Sequence, residues 1–243
     1  MIKASVAAAV VGTVLSASSA LAGPVSISVG DHLRFSAGPG AKNGLPQGGE
    51  LIVNICQTGQ IFRTFCLEQE ESIFFGSPGG VFPFEVVGIS TGAIYGGNNL
   101  DDPGGGFDPI SSRTAFLYER FATGTLDGYT FGLDSDPDRI RSADALQNAI
   151  WYLEHEISDP YANIADQATR DLIDHFLTMD MGGYTGIGNV RVLNLVFRVQ
   201  GPNGEQIGDV AQDVLVLVPL PHAAGLGLAG LIGVVGLTGR RRR

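Results

Sequence analysis

The apolar residues of this chain change period twice along its length, and that constrains the fold more than any single motif. Across 25–29, 50–56, 61–67 and 82–89, and again across 190–199 and 207–218, several segments alternate apolar with polar side chains, the signature of half-buried strands. Between these regions the period lengthens to 3.6. A helix is expected from Ser112 as its cap to Ala122, with Leu117, Tyr118 and Phe121 on one face and Gly124 just beyond its end. A second is expected with Ser142 as its cap, because Leu146, Ala149, Ile150, Leu153 and Ile157 follow helical spacing up to Pro160. A third is expected over 164–177, ahead of Gly182 and Gly183, and Gly201-Pro202-Asn203-Gly204 reads as the loop of a final hairpin. β-rich halves flanking a helical middle of about three helices predict a single α+β domain, with the halves forming a sandwich or a barrel-like sheet. A body of this size, residues 23–217, is long enough to bury one core.

The two ends carry a different message. Met1-Ile2-Lys3, an apolar run through Leu15 and Ala20-Leu21-Ala22 have the layout of a secretory signal peptide over 1–22. At the other end Pro219-Leu220-Pro221 precedes the uncharged stretch 223–239, and the chain closes on Arg240, Arg241, Arg242 and Arg243. That stretch is marginal for a span, and its repeated glycines disfavour a permanent helix. The arginines are expected to stay on the cytoplasmic side, so the segment reads as a transient inner-membrane anchor. In order and position, 218–243 resembles the PEP-CTERM sorting signal of exopolysaccharide-producing Gram-negative bacteria, with Pro-Leu-Pro where the signal usually has Pro-Glu-Pro. The resemblance implies an exosortase-type processing protease as a partner. It also implies export to the periplasm and then to the cell surface or outside the cell. A plain C-terminal membrane anchor is the alternative.

Setting both ends aside changes the charge. Without Lys3 and the four terminal arginines, ten basic residues face all 25 acidic ones, a net charge near −15. Nucleic acid and anionic lipid are not expected partners. Glycine-rich loops and 16% charged residues also argue against a soluble cytoplasmic enzyme.

The candidate chemistry lies in two phrases on opposite sides of the first helix. Phe65-Cys66 places a cysteine at the end of an expected strand, and Gln147-Asn148-Ala149-Ile150-Trp151 places a glutamine on the second helix. Together, over about 66–177, they resemble the thioester domain of bacterial surface adhesins, although Leu146 stands where that family often has a hydroxyl residue. The resemblance implies that Cys66 attacks the side-chain amide of Gln147 to form an internal thioester. It further implies that Trp151 shields the bond, and that an amine on a surface protein or exopolysaccharide is then captured covalently. Such a protein is a one-shot adhesin of the surface or biofilm matrix and not an enzyme. With Ser142 as the cap, Gln147 falls near a helix N-terminus, whose partial positive charge would assist the attack.

Cys56 and Cys66 are the only cysteines of an exported chain and lie ten residues apart, so a Cys56–Cys66 disulfide in a non-reactive matrix protein is the competing reading. Free thiols are the third.

Other motifs are weaker. Gly88-Ile89-Ser90-Thr91-Gly92 fits a nucleophile elbow but no helix is expected after it. Asp134-Ser135-Asp136-Pro137-Asp138 begins like a calcium loop, yet Arg139 occupies the turn-glycine position and Ala145 that of the bidentate glutamate. His155-Glu156 lacks a second histidine four residues on. No cofactor and no metal are expected.

Overall fold

A computed structural model describes residues 23–41, 48–71, 73, 75, 84–94, 100, 106–201 and 204–219. The expected signal peptide, the apolar C-terminal stretch, Pro221 and Arg240 to Arg243 lie outside them; Pro219 is exposed at the end of the described chain. No helix among the described residues is long and apolar enough to cross a membrane.

The fold is α+β. The strands are β1 (His32–Ala37), β2 (Leu51–Ile55), β3 (Ile61–Thr64), β4 (Phe84–Ser90), β5 (Gly92–Ala93), β6 (Asp108–Pro109), β7 (Val190–Gly201) and β8 (Gly204–Leu217). The helices are α1 (Ser112–Ala122), α2 (Pro137–Leu153) and α3 (Gln167–Thr178). Six strands form one antiparallel sheet in the order β3-β2-β1-β4-β7-β8, while β5 and β6 make a separate short ribbon. The two β-rich halves therefore do not form two sheets: β4 from the first pairs with β7 from the second. The sheet's edges meet at one isolated bridge, Cys66 to Val214, without closing into a barrel. Helix α1 packs across this seam against β3, β7 and β8. Phe65 meets Phe121 edge to face at 4.8 Å, and the Tyr118 hydroxyl donates to the Arg63 carbonyl at 3.1 Å.

Most expected elements are present, with informative differences. The segment 25–29 is not a strand, although Val25 is buried and its N–H donates to the Leu217 carbonyl at 2.9 Å. Strand β1 is absent from the sequence reading. Its inward residues Leu33 and Phe35 are flanked by Arg34 and Ser36, and its pairing with both β2 and β4 comes from residues distant along the chain. Helix α1 is capped by Ser111 and not by Ser112, the Ser111 hydroxyl accepting from the Thr114 N–H at 3.1 Å, but it ends as expected: Gly124 has φ 71°, and the N–H of Thr125 reaches the Arg120 carbonyl at 2.8 Å.

The start of α2 corrects the sequence reading. Ser142 is not its cap. Asp136 caps it, accepting from the Asp138 N–H at 2.9 Å, with Pro137 in the first turn, a position where the missing N–H of proline costs nothing. The Ser142 hydroxyl instead donates to the Asp138 carbonyl one turn back, at 2.7 Å. In α3 the cap is Asp166, which accepts from the Thr169 N–H at 3.2 Å.

A buried charge network fixes α2 on the sheet. Glu50, fully buried just ahead of β2, accepts from Arg139 at 3.0 and 3.1 Å and from the Tyr129 hydroxyl at 2.6 Å, and it also pairs with Arg63. The first turn of α2 is thereby tied to β2 and β3.

Candidate functional site

One residue, Phe65, separates Cys66 from the end of β3, and Cys66 bridges to Val214 of β8. At this bridge the neighbouring Leu67 N–H donates to the Asp213 carbonyl at 2.9 Å, which makes Cys66 and Val214 a non-hydrogen-bonded pair. The N–H and C=O of Cys66 consequently point away from β8. Both are met by one side chain: the Cys66 N–H donates to Gln147 Oε1 at 3.0 Å, and Gln147 Nε2 donates to the Cys66 carbonyl at 2.8 Å. Gln147, fully buried, acts here as a substitute strand neighbour. The sequence-predicted pair is brought together across 81 residues.

Gly48 makes room for this contact. Its φ is 72°, in the left-handed region, and a Cβ there would lie 3.3 Å from Gln147 Cγ, so a side chain would press on the amide it adjoins.

The expected electrostatic help is different from the one observed. Because α2 starts at Pro137, Gln147 stands in its third turn, about 15 Å from the helix start, beyond the reach of the terminal partial charge. A backbone group supplies the polarisation instead: the Cys66 N–H aims at Gln147 Oε1, the oxygen that would carry negative charge if sulfur attacked Cδ. Burial, and after it the negative charge of Glu71, push the Cys66 thiol up to about 12. The resting sulfur is thus a protonated thiol, and its proton has to leave during the attack.

The alternative disulfide is contradicted. Both cysteines are free; Cys56 is exposed and Cys66 half-buried. The β2–β3 hairpin pairs Leu51 with Thr64 and Asn54 with Ile61, so Cys56 sits at the turn and Cys66 at the open end. That is seven ladder steps, roughly 23 Å, whereas a disulfide needs Cα atoms within about 7 Å. Trp151 lies one turn beyond Gln147 on α2, is 3% exposed, and its ring N–H has no partner among the described residues.

The weaker motifs find other uses. The Ser90 hydroxyl accepts from Asn194 Nδ2 at 2.9 Å and bonds the Gly92 carbonyl, in a strand that runs into β5 with no helix. Asp134 pairs with Arg63 at 3.0 Å, and Asp136 is spent on the α2 cap.

Sequence reasoning missed a set of carboxylates beside Cys66. Glu68 and Asp213 are each 1% exposed and Glu156 is 6% exposed. Burial, then Glu156, Glu71 and Asp213, push Glu68 above the usual carboxylate range. Burial also raises Glu156, against the lowering effect of the Gln69 N–H. Asp213 is pushed up to about 8 by burial and then Glu71, and Glu71 to about 7 by burial. The chain turns sharply to place Glu156. His155 adopts φ 62°, and the Glu156 N–H returns to the Trp151 carbonyl at 2.8 Å, closing α2 with a left-handed residue where glycine is usual. Single acidic residues scattered over three segments have no periodic signature, which is why the set was not visible in the sequence.

The fold and site together define an α+β domain in which a helix glutamine clasps the peptide groups of a strand-end cysteine at the seam of one curled sheet. No protein-family model, curated protein or solved structure matches the chain.

Proposed function

We propose that this is an exported surface or matrix protein that stores an internal Cys66–Gln147 thioester and uses it to capture amines. The observation that carries the reading is the two-bond contact between the Gln147 amide and the Cys66 peptide groups, 3.0 and 2.8 Å, made inside a buried seam. It holds the amide beside the sulfur-bearing residue and polarises its carbonyl.

In the forming step the sulfur of Cys66 bonds to Cδ of Gln147 and the Cδ–Nε2 bond breaks. The thiol proton leaves with the nitrogen as ammonia. In the capturing step an incoming amine bonds to Cδ, the C–S bond breaks, and a proton from the amine restores the thiol. The product is an amide, formed once per molecule. Resemblance of the termini to a signal peptide and a PEP-CTERM sorting signal supports export, with processing by an exosortase-type protease. Resemblance of the Cys66 and Gln147 phrases to thioester domains supports the chemistry.

Mass spectrometry of the protein with its termini mapped tests this. The protein is expected to be about 17 Da lighter than its sequence, and methylamine to convert it to a species about 14 Da heavier than its sequence, with the label on Gln147. Cys66→Ala and Gln147→Ala are each expected to abolish both changes. A full sequence mass with no methylamine uptake would overturn the reactive reading and leave a non-reactive matrix protein.

A further inference from the structure

One buried donor near the Cys66–Gln147 contact is left over. Trp151 is 3% exposed and its ring N–H meets no acceptor among the described residues. An indole nitrogen can only donate, and a buried donor without an acceptor is costly, so such groups are rare unless something is meant to meet them. The carboxylates that follow it along the chain are engaged elsewhere. Glu154 accepts from the Ser111 N–H at 3.2 Å and from the Thr114 hydroxyl, and Glu156 accepts from the Gln69 N–H at 3.0 Å.

The place of Trp151 on α2 says what it adjoins. Gln147 and Trp151 are four residues apart and both buried, so they are neighbours on one face of the helix, with Cβ atoms about 6 Å apart. Aromatic side chains on a helix lean toward its N-terminus, over the turn that precedes them, and for Trp151 that turn carries Gln147. The described contact supplies Gln147 Oε1 with one donor, the Cys66 N–H at 3.0 Å. Attack at Cδ turns this oxygen into an anion, which holds its charge better with a second donor beside it.

We propose that the Trp151 ring N–H is the second donor of an oxyanion hole for Gln147 Oε1, with the Cys66 N–H as the first, a role that rests on the thioester reading. When an amine nitrogen bonds to Cδ, the C=O electron pair moves onto Oε1. The pair returns as the Cδ–S bond breaks, and the departing sulfur takes the proton that the amine releases. Attack of sulfur on the original amide passes through the same oxyanion, with ammonia leaving. A donor that is unpaired at rest and paired only while the oxygen is charged accelerates the step instead of stabilising its starting state. A shield alone has the opposite signature. Removing a shield admits water and speeds hydrolysis of the thioester, whereas removing an oxyanion donor slows hydrolysis and amine capture together, because both add a nucleophile at Cδ.

Trp151 is the only tryptophan of the chain, so replacing tryptophan throughout by 3-benzothienylalanine, which carries sulfur in place of the ring N–H, changes this donor and keeps the ring's shape. Trp151→Phe is the genetic counterpart. Each full-length processed protein is weighed, and the deficit of about 17 Da is then followed over time at neutral pH, in buffer alone and in methylamine. Both altered proteins are expected to carry the deficit, since forming the thioester takes a single turnover, and to lose it about 100-fold more slowly than the wild type under both conditions. A benzothienyl protein that keeps the wild-type Tm but forms no thioester would support the same role, in the forming step. Unchanged rates in the benzothienyl protein, or faster hydrolysis with unchanged capture, would overturn the proposal and leave Trp151 a shield. A wild type without the deficit would overturn the thioester reading and this role with it, so the two failures are told apart by the wild-type mass.

Discussion

The Glu50 network gives the most direct measurement of what holds α2, and hence Gln147, on the sheet. Glu50→Ala removes the carboxylate that accepts from Arg139 and Tyr129 and pairs with Arg63. Arg139 is 1% exposed and cannot swing into water, and its remaining acidic neighbour, Asp134, lies at 3.5 Å and is itself 44% exposed. Breaking a buried pair by deleting one partner costs about 3–5 kcal/mol, because the other charge stays uncompensated. For a body of this size that is a fall in Tm of about 6–20 °C. Asp134→Ala removes only the exposed end of the same network and should cost less than about 1 kcal/mol. Urea unfolding of the two variants side by side checks both values. A Glu50→Ala loss below about 1 kcal/mol, or one no larger than that of Asp134→Ala, would refute the claim that the buried carboxylate organises this corner.

Two further predictions concern the cysteines and the carboxylates. Cys56→Ser should leave the non-reducing mobility, the Tm and any methylamine uptake of the protein unchanged, since Cys56 is exposed and distant from Cys66; a mobility shift on reduction that vanishes in this variant would contradict the hairpin register. The Asp213 contribution should favour folding at acid pH. Its folded pKa, about 8, exceeds the ordinary unfolded value of about 3.9, so the folded state binds the extra proton between them. That contribution is complete below about pH 4 and lost by about pH 8. Asp213→Asn should flatten the slope of unfolding free energy over that window, and an unchanged slope would remove Asp213 as its source.

Local signals were legible where the physics is local. The Gly124 stop, the helical spacing of Leu146, Ala149, Ile150 and Leu153, and the Gly201–Gly204 hairpin each depend on residues within a few positions; Ile157, expected on the same helix, lies past its end at Leu153 and the left-handed His155. The same locality explains the error at Ser142. A serine before an apolar helical run is a good cap by itself, but Pro137 and the Asp136 carboxylate open the helix earlier and turn Ser142 into an interior residue.

The sequence by itself determined the three helices, most of the longer strands, the α+β class and the candidate pair, because period and the two short phrases around Cys66 and Gln147 are properties of contiguous residues. Tertiary structure alone decided which groups meet. It placed β4 beside β7 and set the sheet edges together at Cys66. It turned the peptide groups of Cys66 toward Gln147, separated Cys56 from Cys66 through the register of one hairpin, and gathered Glu68, Glu156 and Asp213 from three segments. None of these follows from spacing along the chain, because a contact between distant residues is set by how whole faces pack and by which buried polar groups find partners when they do.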